Sequence, residues 1–353
     1  MCPSVEDIIC SSHSGALAAE CFVCPIAKKY ISYWSYLVTT SNIAKQLFKL
    51  ELDKNPYRKS KVRWCAEFDV SKEIAIAYPI VKNIIMREDI QFGEGIRDSM
   101  RTLINNDEQI LRTELAVLLD AGDILYNFIY KFEGDGLLTP YIFGYKQQVI
   151  ESLCFIIVNN HMNCPNITAV CNEYSNGDLN LRDNLINNAC EKIRPVLTKF
   201  QSMFHNNGGK LTRMMQIYSG LSLVLPYQFS ISTNERRIQA VQDIMLLEPF
   251  QTADYLNFED DLLHEIPQYT VESNGVASDI NVFDWWREHK ARLPNWFRVF
   301  GESVILQPSS GCSERIFAML RWMFGENQEN ALEDNKETSI MLRFNELQRN
   351  KIH

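Results

Sequence analysis

Two pairs of metal-type side chains lie near the start of the sequence. Cys10 and His13 form a Cys-x-x-His pair, and Cys21 and Cys24 form a Cys-x-x-Cys pair after a gap of seven residues. Thiolate and imidazole donors at such spacings can build a tetrahedral zinc site, because a tight turn aims both side chains at one point. The gap between the pairs is shorter than in usual zinc fingers. A helix that buries Cys21 and Cys24 is therefore favoured over zinc.

A basic run that ends in a tryptophan could bind nucleic acid. Cations beside an aromatic side chain can contact phosphates and stack on a base. The alternative is a solvated charged loop with the tryptophan packed into the core, and composition alone favours that alternative. The run consists of Lys54, Arg58, Lys59, Lys61, Arg63 and Trp64.

A third candidate lies near the C-terminus, where proline, serine and glycine over 308–311 precede an apolar-periodic run. This pattern is typical of a helix start, and Glu314 falls in the first turn, near the positive end of the helix dipole. A carboxylate there could be one ligand of a Mg²⁺ pair, or only a cap. The apolar face of the run consists of Ile316, Phe317, Leu320, Met323 and Phe324.

The elements that would position these residues are helical nearly throughout, because apolar residues recur at three- and four-residue spacing. One short strand is predicted over 5–9, and its ladder partners would have to lie outside the chain. A helical pattern opens at about Gly15. The predicted helices lie near 25–50, 72–86, 107–131, 142–160, 183–205, 209–225, 234–248, from 313 and near 335–349.

Composition is that of an ordinary folded protein of 353 residues, with 46% hydrophobic residues and a formal net charge of −9. The acidic balance argues against autonomous DNA binding, which is expected of basic domains. We expect a soluble intracellular protein without a membrane span, because no apolar stretch approaches about 20 residues and no signal peptide is evident. An acidic stretch with weak periodicity over 251–280 predicts a linker between two parts of the chain.

The order of motifs resembles the C-terminal two-thirds of hAT-family transposases, the hobo and Activator group. The match is strongest over 281–346, which is similar to the C-terminal dimerisation region of that family. Cys10-x-x-His13 resembles the family's Cys-x-x-His element, and Arg63-Trp64 resembles the Arg-Trp of its helical insertion. The C-terminal motifs are Phe283-Asp284-Trp285-Trp286, Leu293-Pro294, Gln307-Pro308-Ser309-Ser310-x-x-Ser313-Glu314-Arg315-x-Phe317 and Ser339-Ile340-Met341-Leu342-Arg343-Phe344-Asn345.

The resemblance implies an RNase H-like core in which two aspartates and a glutamate hold Mg²⁺, interrupted by a large helical insertion. Glu314 matches the glutamate, and Trp64 matches a tryptophan that handles a flipped base. Both family aspartates lie upstream of the Cys-x-x-His element, and only nine residues precede Cys10 here. A zinc finger of the BED type is also missing, and Ala318 replaces a usual serine. A single carboxylate cannot hold two Mg²⁺ ions.

These observations predict a mainly α fold: a large helical insertion domain, with a remnant of an RNase H-like α/β core that the C-terminal helices complete. The expected divisions are a core remnant over 1–25, an all-helical insertion domain over 26–250, an acidic linker over 251–280 and a dimerisation region over 281–353. The residues expected to form the dimerisation surface are Trp285, Trp286, Leu293, Phe297, Phe317, Leu320 and Leu342.

The expected function is that of a nuclear, catalytically incomplete, transposase-derived protein that acts by dimerising. Its expected partner is a second copy or an hAT-like protein, with weak DNA contact at most. No cofactor is expected in the chain as it stands. Mg²⁺ binding is expected only if the missing part of the core is supplied. The alternative is an active hAT transposase, with Mg²⁺-dependent strand cleavage and transfer, whose N-terminal half lies outside this chain.

Overall fold

A computed structural model describes residues 11–59, 65–133, 137–159, 164–206 and 208–306. The predicted strand over 5–9 and all residues after 306 lie outside these ranges. Helices account for most of the described chain, and the β pairing found within it is a single antiparallel bridge between His205 and Leu211. The prediction of a mainly α fold is confirmed.

The first half of the described chain is a succession of helices that surround one long helix, α6 (Glu94–Asp120). Three of the segments predicted in this half are each divided in two. Ser41, for example, separates the helix over 25–40 from the helix over 42–52 and caps the second one, because its Oγ accepts a hydrogen bond from Ala44 N at 3.2 Å. The helices are α1 (Ser11–Ala19), α2 (Pro25–Thr40), α3 (Asn42–Leu52), α4 (Ala66–Ile76), α5 (Tyr78–Met86), α6 (Glu94–Asp120), α7 (Gly122–Phe132) and α8 (Ile142–Asn159).

The second half continues with shorter helices and 3₁₀ turns. Several begin at the side-chain caps that their sequences offer: Thr212, Thr233 and Asn281 each accept a hydrogen bond from a backbone N–H of the first turn. The helices are α9 (Pro165–Ser175), α10 (Leu179–Glu191), α11 (Arg194–Phe204), α12 (Arg213–Leu221), α13 (Pro226–Ile231), α14 (Asn234–Ile244), α15 (Phe258–Glu272), α16 (Val282–His289) and α17 (Pro294–Ile305).

The predicted linker over 251–280 is wrong in its central part, where α15 forms. Glu259, Asp260 and Asp261 lie in the first turn of this helix, where negative charge interacts favourably with the helix dipole. Phe258, Leu262, Ile266 and Tyr269 are buried along one face of α15. The acidic residues thus mark a helix start, and the buried face anchors the helix to the body.

The buried apolar residues form two clusters that meet in α12. The first contains residues from Ala18 to Tyr218, and the second contains residues from Ile217 to Phe300. The division therefore lies about 30 residues before the predicted boundary at 250. Gly220 allows this arrangement, because a Cβ atom at that position would lie 2.9 Å from the carbonyl oxygen of Ala240 in α14.

The N-terminal helix α1 belongs to the first cluster and not to a separate unit. It packs against α7 and α11. A Cβ atom on Gly15 would lie 2.7 Å from Cγ1 of Ile129, so glycine permits the close approach to α7. The described part of the predicted 1–25 unit is therefore continuous with the helical body.

Three helices that begin with proline receive their caps from other helices. The residues before Pro25, Pro165 and Pro294 are Cys24, Cys164 and Leu293, and none of their side chains caps the helix. A carboxylate of a distant helix accepts the N–H bonds of the first turn instead. Glu114 accepts from Ala27 N (2.9 Å), Asp120 from Asn166 N and Ile167 N (3.3 and 2.8 Å), and Glu265 from Asn295 N and Trp296 N (3.1 Å each).

Glu114 is the most enclosed of these carboxylates, with 1% of its side chain exposed. Its second oxygen lies 3.0 Å from Nζ of Lys192, which also donates to the carbonyl oxygen of Val23. A single side chain of α6 therefore joins the start of α2 to the end of α10. In the described ranges, no helix is long and apolar enough to cross a membrane.

We expect Glu114→Ala to lower the free energy of unfolding by about 3 kcal/mol, because it leaves Ala27 N–H and the Lys192 ammonium without their buried acceptor. Glu114→Gln keeps an acceptor and should lose less. Chemical denaturation at neutral pH measures both. Glu191→Ala is the matched control, since Glu191 pairs with Arg194 at the surface and its loss should change stability little. Equal effects at the two positions would contradict the role of Glu114.

Candidate functional site

The described part of the basic run lies against α4, and two of its lysines are paired. Nζ of Lys54 lies 3.3 Å from Glu73, and Nζ of Lys59 lies 2.9 Å from Glu67. Both carboxylates belong to α4, so the residues that pair with these two lysines come later in the sequence than the run itself. These pairs neutralise part of the positive charge that was predicted to contact phosphate.

The loop that carries the run is also fixed by its backbone. The N–H of Tyr57 donates to Oε2 of Glu73 at 2.8 Å, and the N–H of Lys59 donates to Oγ of Ser35 in α2 at 3.3 Å. Arg58 is exposed, and no carboxylate pairs with it within the described parts of the chain. Lys61, Arg63 and Trp64 lie outside those parts, so the predicted stacking on Trp64 stays a prediction.

Glu73 is a buried acceptor under this loop. Burial raises the pKa of Glu73, and the opposing effects of the Tyr57 N–H and of Lys54 do not offset it. Oε1 of Glu73 is in ion contact with Nζ of Lys54 at 3.3 Å. The carboxylate thus holds the loop in place at an electrostatic cost, which is typical of a structural residue.

The aromatic residues of the predicted dimerisation region form the centre of the second cluster. Trp286 and Trp296 are fully buried, and both indole N–H groups are satisfied. Nε1 of Trp286 donates to the carbonyl oxygen of Val224 at 2.9 Å, and Nε1 of Trp296 donates to that of Leu262 at 3.2 Å. Tyr269 stacks on Phe229 with ring centroids 3.7 Å apart and contacts both tryptophans.

This placement differs from the predicted apolar surface. Trp285, Trp286 and Leu293 are buried in the core of their own chain, and Phe297 is half-buried against Trp286. In this region the exposed large apolar side chains include Phe283 and Ile305. The other members of the predicted surface (Phe317, Leu320 and Leu342) and the matched carboxylate Glu314 lie beyond residue 306, where the description ends.

An ionic contact that the sequence analysis missed covers one edge of the aromatic cluster. The imidazole of His289 stacks on Trp285 with centroids 3.9 Å apart, and its Nε2 lies 3.3 Å from Oε2 of Glu272. Arg292 contacts the same oxygen at 3.2 Å. The spacing of Trp285 and His289, four residues apart on one helix, is the sequence signal that could have indicated their contact.

The predicted metal donors near the N-terminus do not form a described site. His13 is exposed on α1, Cys21 is half-buried and Cys24 is buried, whereas Cys10 lies before the first described residue. Burial, reinforced by the nearby charge of Glu114, raises the pKa of the Cys24 thiol to about 12. A metal would need the thiolate form. Among the side chains that the structure describes, no three or more His, Cys, Asp or Glu residues are grouped to hold a metal ion.

Comparison with known proteins leaves the family assignment as a hypothesis. No protein-family model matches the chain, and a search of curated proteins finds no match either. The resemblance to hAT transposases therefore depends on the motifs of the sequence alone.

We expect Glu73→Gln to change the dependence of stability on pH. A raised pKa in the fold means that Glu73 contributes stability below its unfolded pKa of about 4.5, and that this contribution is lost as pH rises through the folded value. The stability of Glu73→Gln relative to the natural chain should therefore increase between about pH 4 and about pH 7. Urea denaturation across this range measures the difference, with Glu67→Gln as control. A difference that does not change with pH would contradict the expectation.

The two neighbouring aromatics Trp286 and Phe283 should differ sharply in their importance for stability. We expect Trp286→Ala to cost roughly 3–5 kcal/mol of unfolding free energy, because it leaves a cavity and an unpaired Val224 carbonyl. Phe283→Ala, at a half-exposed position, should cost less than about 1 kcal/mol. Thermal unfolding at a concentration that keeps the chain monomeric separates the two roles. A stable Trp286→Ala monomer would restore the interpretation of Trp286 as an interface residue.

Proposed function

We propose that this chain is a transposase-derived interaction protein of the hAT type that associates with a second copy through its C-terminal region. The motif order over 281–346 supports the family, and the helical body is compatible with the helical insertion that the family would supply. Association, rather than strand transfer, is proposed because Glu314 is the one family-matched carboxylate that the sequence offers.

The observation that carries this proposal is the burial of the first part of the C-terminal region. Residues 282–305 form α16 and α17, and Trp286, Trp296 and Leu293 anchor them in the second cluster. Glu265 of α15 caps α17 from the side. These helices form a fixed base, and the part of the region that is proposed to contact a second copy lies after residue 306.

Charge supports a protein partner over DNA. Residues 248–280 contain eight acidic residues and no lysine or arginine, which would repel a phosphate backbone. The basic run is partly neutralised by α4. The acidic residues are Glu248, Asp254, Glu259, Asp260, Asp261, Glu265, Glu272 and Asp279.

We expect sedimentation of the full chain to reveal a dimer or larger species whose fraction grows with concentration. Leu342→Asp should abolish that species, because a carboxylate would have to be buried in an apolar contact. Glu314→Ala is the matched control and should assemble like the natural chain. Circular dichroism checks that both variants keep their helices.

A chain that stays monomeric at high concentration would contradict the proposal. So would assembly that is unaffected by Leu342→Asp. Cleavage or joining of DNA strands by the purified chain with Mg²⁺ and no helper protein would favour the enzymatic alternative instead.

A further inference from the structure

A groove separates α8 from α13 on the surface where the two apolar clusters meet. Its volume is about 600 Å³, and it is open to solvent. Tyr141 and Tyr145 line one side, and Tyr227 and Ile231 line the other. Ile231 is 76% exposed, so an apolar side chain at the groove faces water. Such a site is suited to an apolar occupant.

Gly144 keeps this groove open. It lies within α8, where glycine weakens a helix relative to alanine, and it lines the groove. A Cβ atom built on Gly144 would meet no other atom within 4 Å. Packing within the described part of the chain therefore does not require a glycine at this position, whereas a segment bound in the groove would require one.

The lining offers no unpaired charge to the part of an occupant that faces it. None of the residues that line the groove is an aspartate or glutamate, and its cation is Arg236. Arg236 is already engaged, because it donates to the carbonyl oxygen of Ser219 at 2.6 Å and lies 3.5 Å from Asp243. A charged ligand would find no free counter-charge among these lining residues.

The chain leaves the described body beside this groove. Oγ1 of Thr139 donates a hydrogen bond to the carbonyl oxygen of Leu306, the last described residue. Pro140 and Tyr141, which directly follow Thr139, line the groove. Residues 307–312 can span about 20 Å when extended. The amphipathic run that starts at Ser313 is therefore within reach of the groove.

We propose that residues 313–324 seat in the α8–α13 groove of their own chain. Twelve residues form a helix about 18 Å long, and the run has one apolar face, which includes Ile316, Phe317 and Leu320. This face matches the apolar and aromatic side chains of the lining, Tyr141, Tyr145, Tyr227 and Ile231.

Binding of residues 313–324 in the groove divides the C-terminal region into two parts. Residues 313–324 would contact the chain's own body, and Leu342 with its neighbours would remain for a second copy. The inference goes beyond the proposed self-association and does not depend on it. A crosslink within a monomer can form whether or not the chain dimerises.

A photocrosslinking residue in the full chain tests whether residues 313–324 bind in the groove. With p-benzoyl-phenylalanine in place of Ile231, we expect illumination to attach it to the tryptic peptide Ile316–Arg321 within a single chain. Ile76 is the matched control position, because it is also isoleucine and is 72% exposed at the end of α4. Mass spectrometry identifies the attached peptide, and gel mobility separates products of one chain from products of two.

A second pair of variants tests whether the groove itself is required. Gly144→Arg introduces a large side chain at the groove, at a position where the added Cβ meets no other atom, and should lower the crosslink yield at least tenfold. Gly95→Arg places the same side chain at an equally open helical glycine in α6, and should leave the yield unchanged. The proposal would be overturned by equal crosslink yields from positions 231 and 76, or by a product that joins two chains. Attachment of position 231 to α1 would also overturn it, as would a crosslink yield that Gly144→Arg does not lower.

Discussion

The carboxylate of Glu114 at the start of α2 is the interaction on which the arrangement of the first cluster depends. Proline at the first position of α2 follows a cysteine, so the local sequence offers no side-chain cap. A helix end buried without a partner would leave N–H groups unsatisfied, and α6 supplies the acceptor from 87 residues away. Six residues later on α6, Asp120 does the same for α9. One helix therefore sets where two others begin, and the same device, with Glu265 as acceptor, positions α17 in the second cluster.

Much of the fold could be predicted because it follows from local patterns. Apolar periodicity indicated most of the helices, and short polar residues such as Ser41 and Thr233 mark several starts. The caps that cross between helices could not be predicted, because nothing near Glu114 in the sequence points to Ala27. The prediction of a linker over 251–280 was wrong in its central part for a related reason. Three carboxylates in a row are typical of a solvated linker, but they equally suit the first turn of a helix such as α15.

The residues of the candidate site could be predicted from the sequence, but the surroundings of their side chains could not. The pair Trp285-Trp286 is apolar enough for an interface, and only the packing of Tyr269 and Phe300 against it decides that it is core. The basic run was likewise visible in the sequence. That Glu73 and Glu67 neutralise two of its lysines depends on how α4 packs against the loop, which composition cannot reveal.

The sharing of α12 between the two apolar clusters has a thermodynamic consequence. Tyr218 packs in the first cluster, and Ile217, the adjacent residue, packs in the second. Loss of either cluster would strip α12 of half its apolar partners, and Gly220 holds the helix too close to α14 for it to shift independently. The two halves of the body should therefore melt together, as one calorimetric transition whose van't Hoff and measured enthalpies agree.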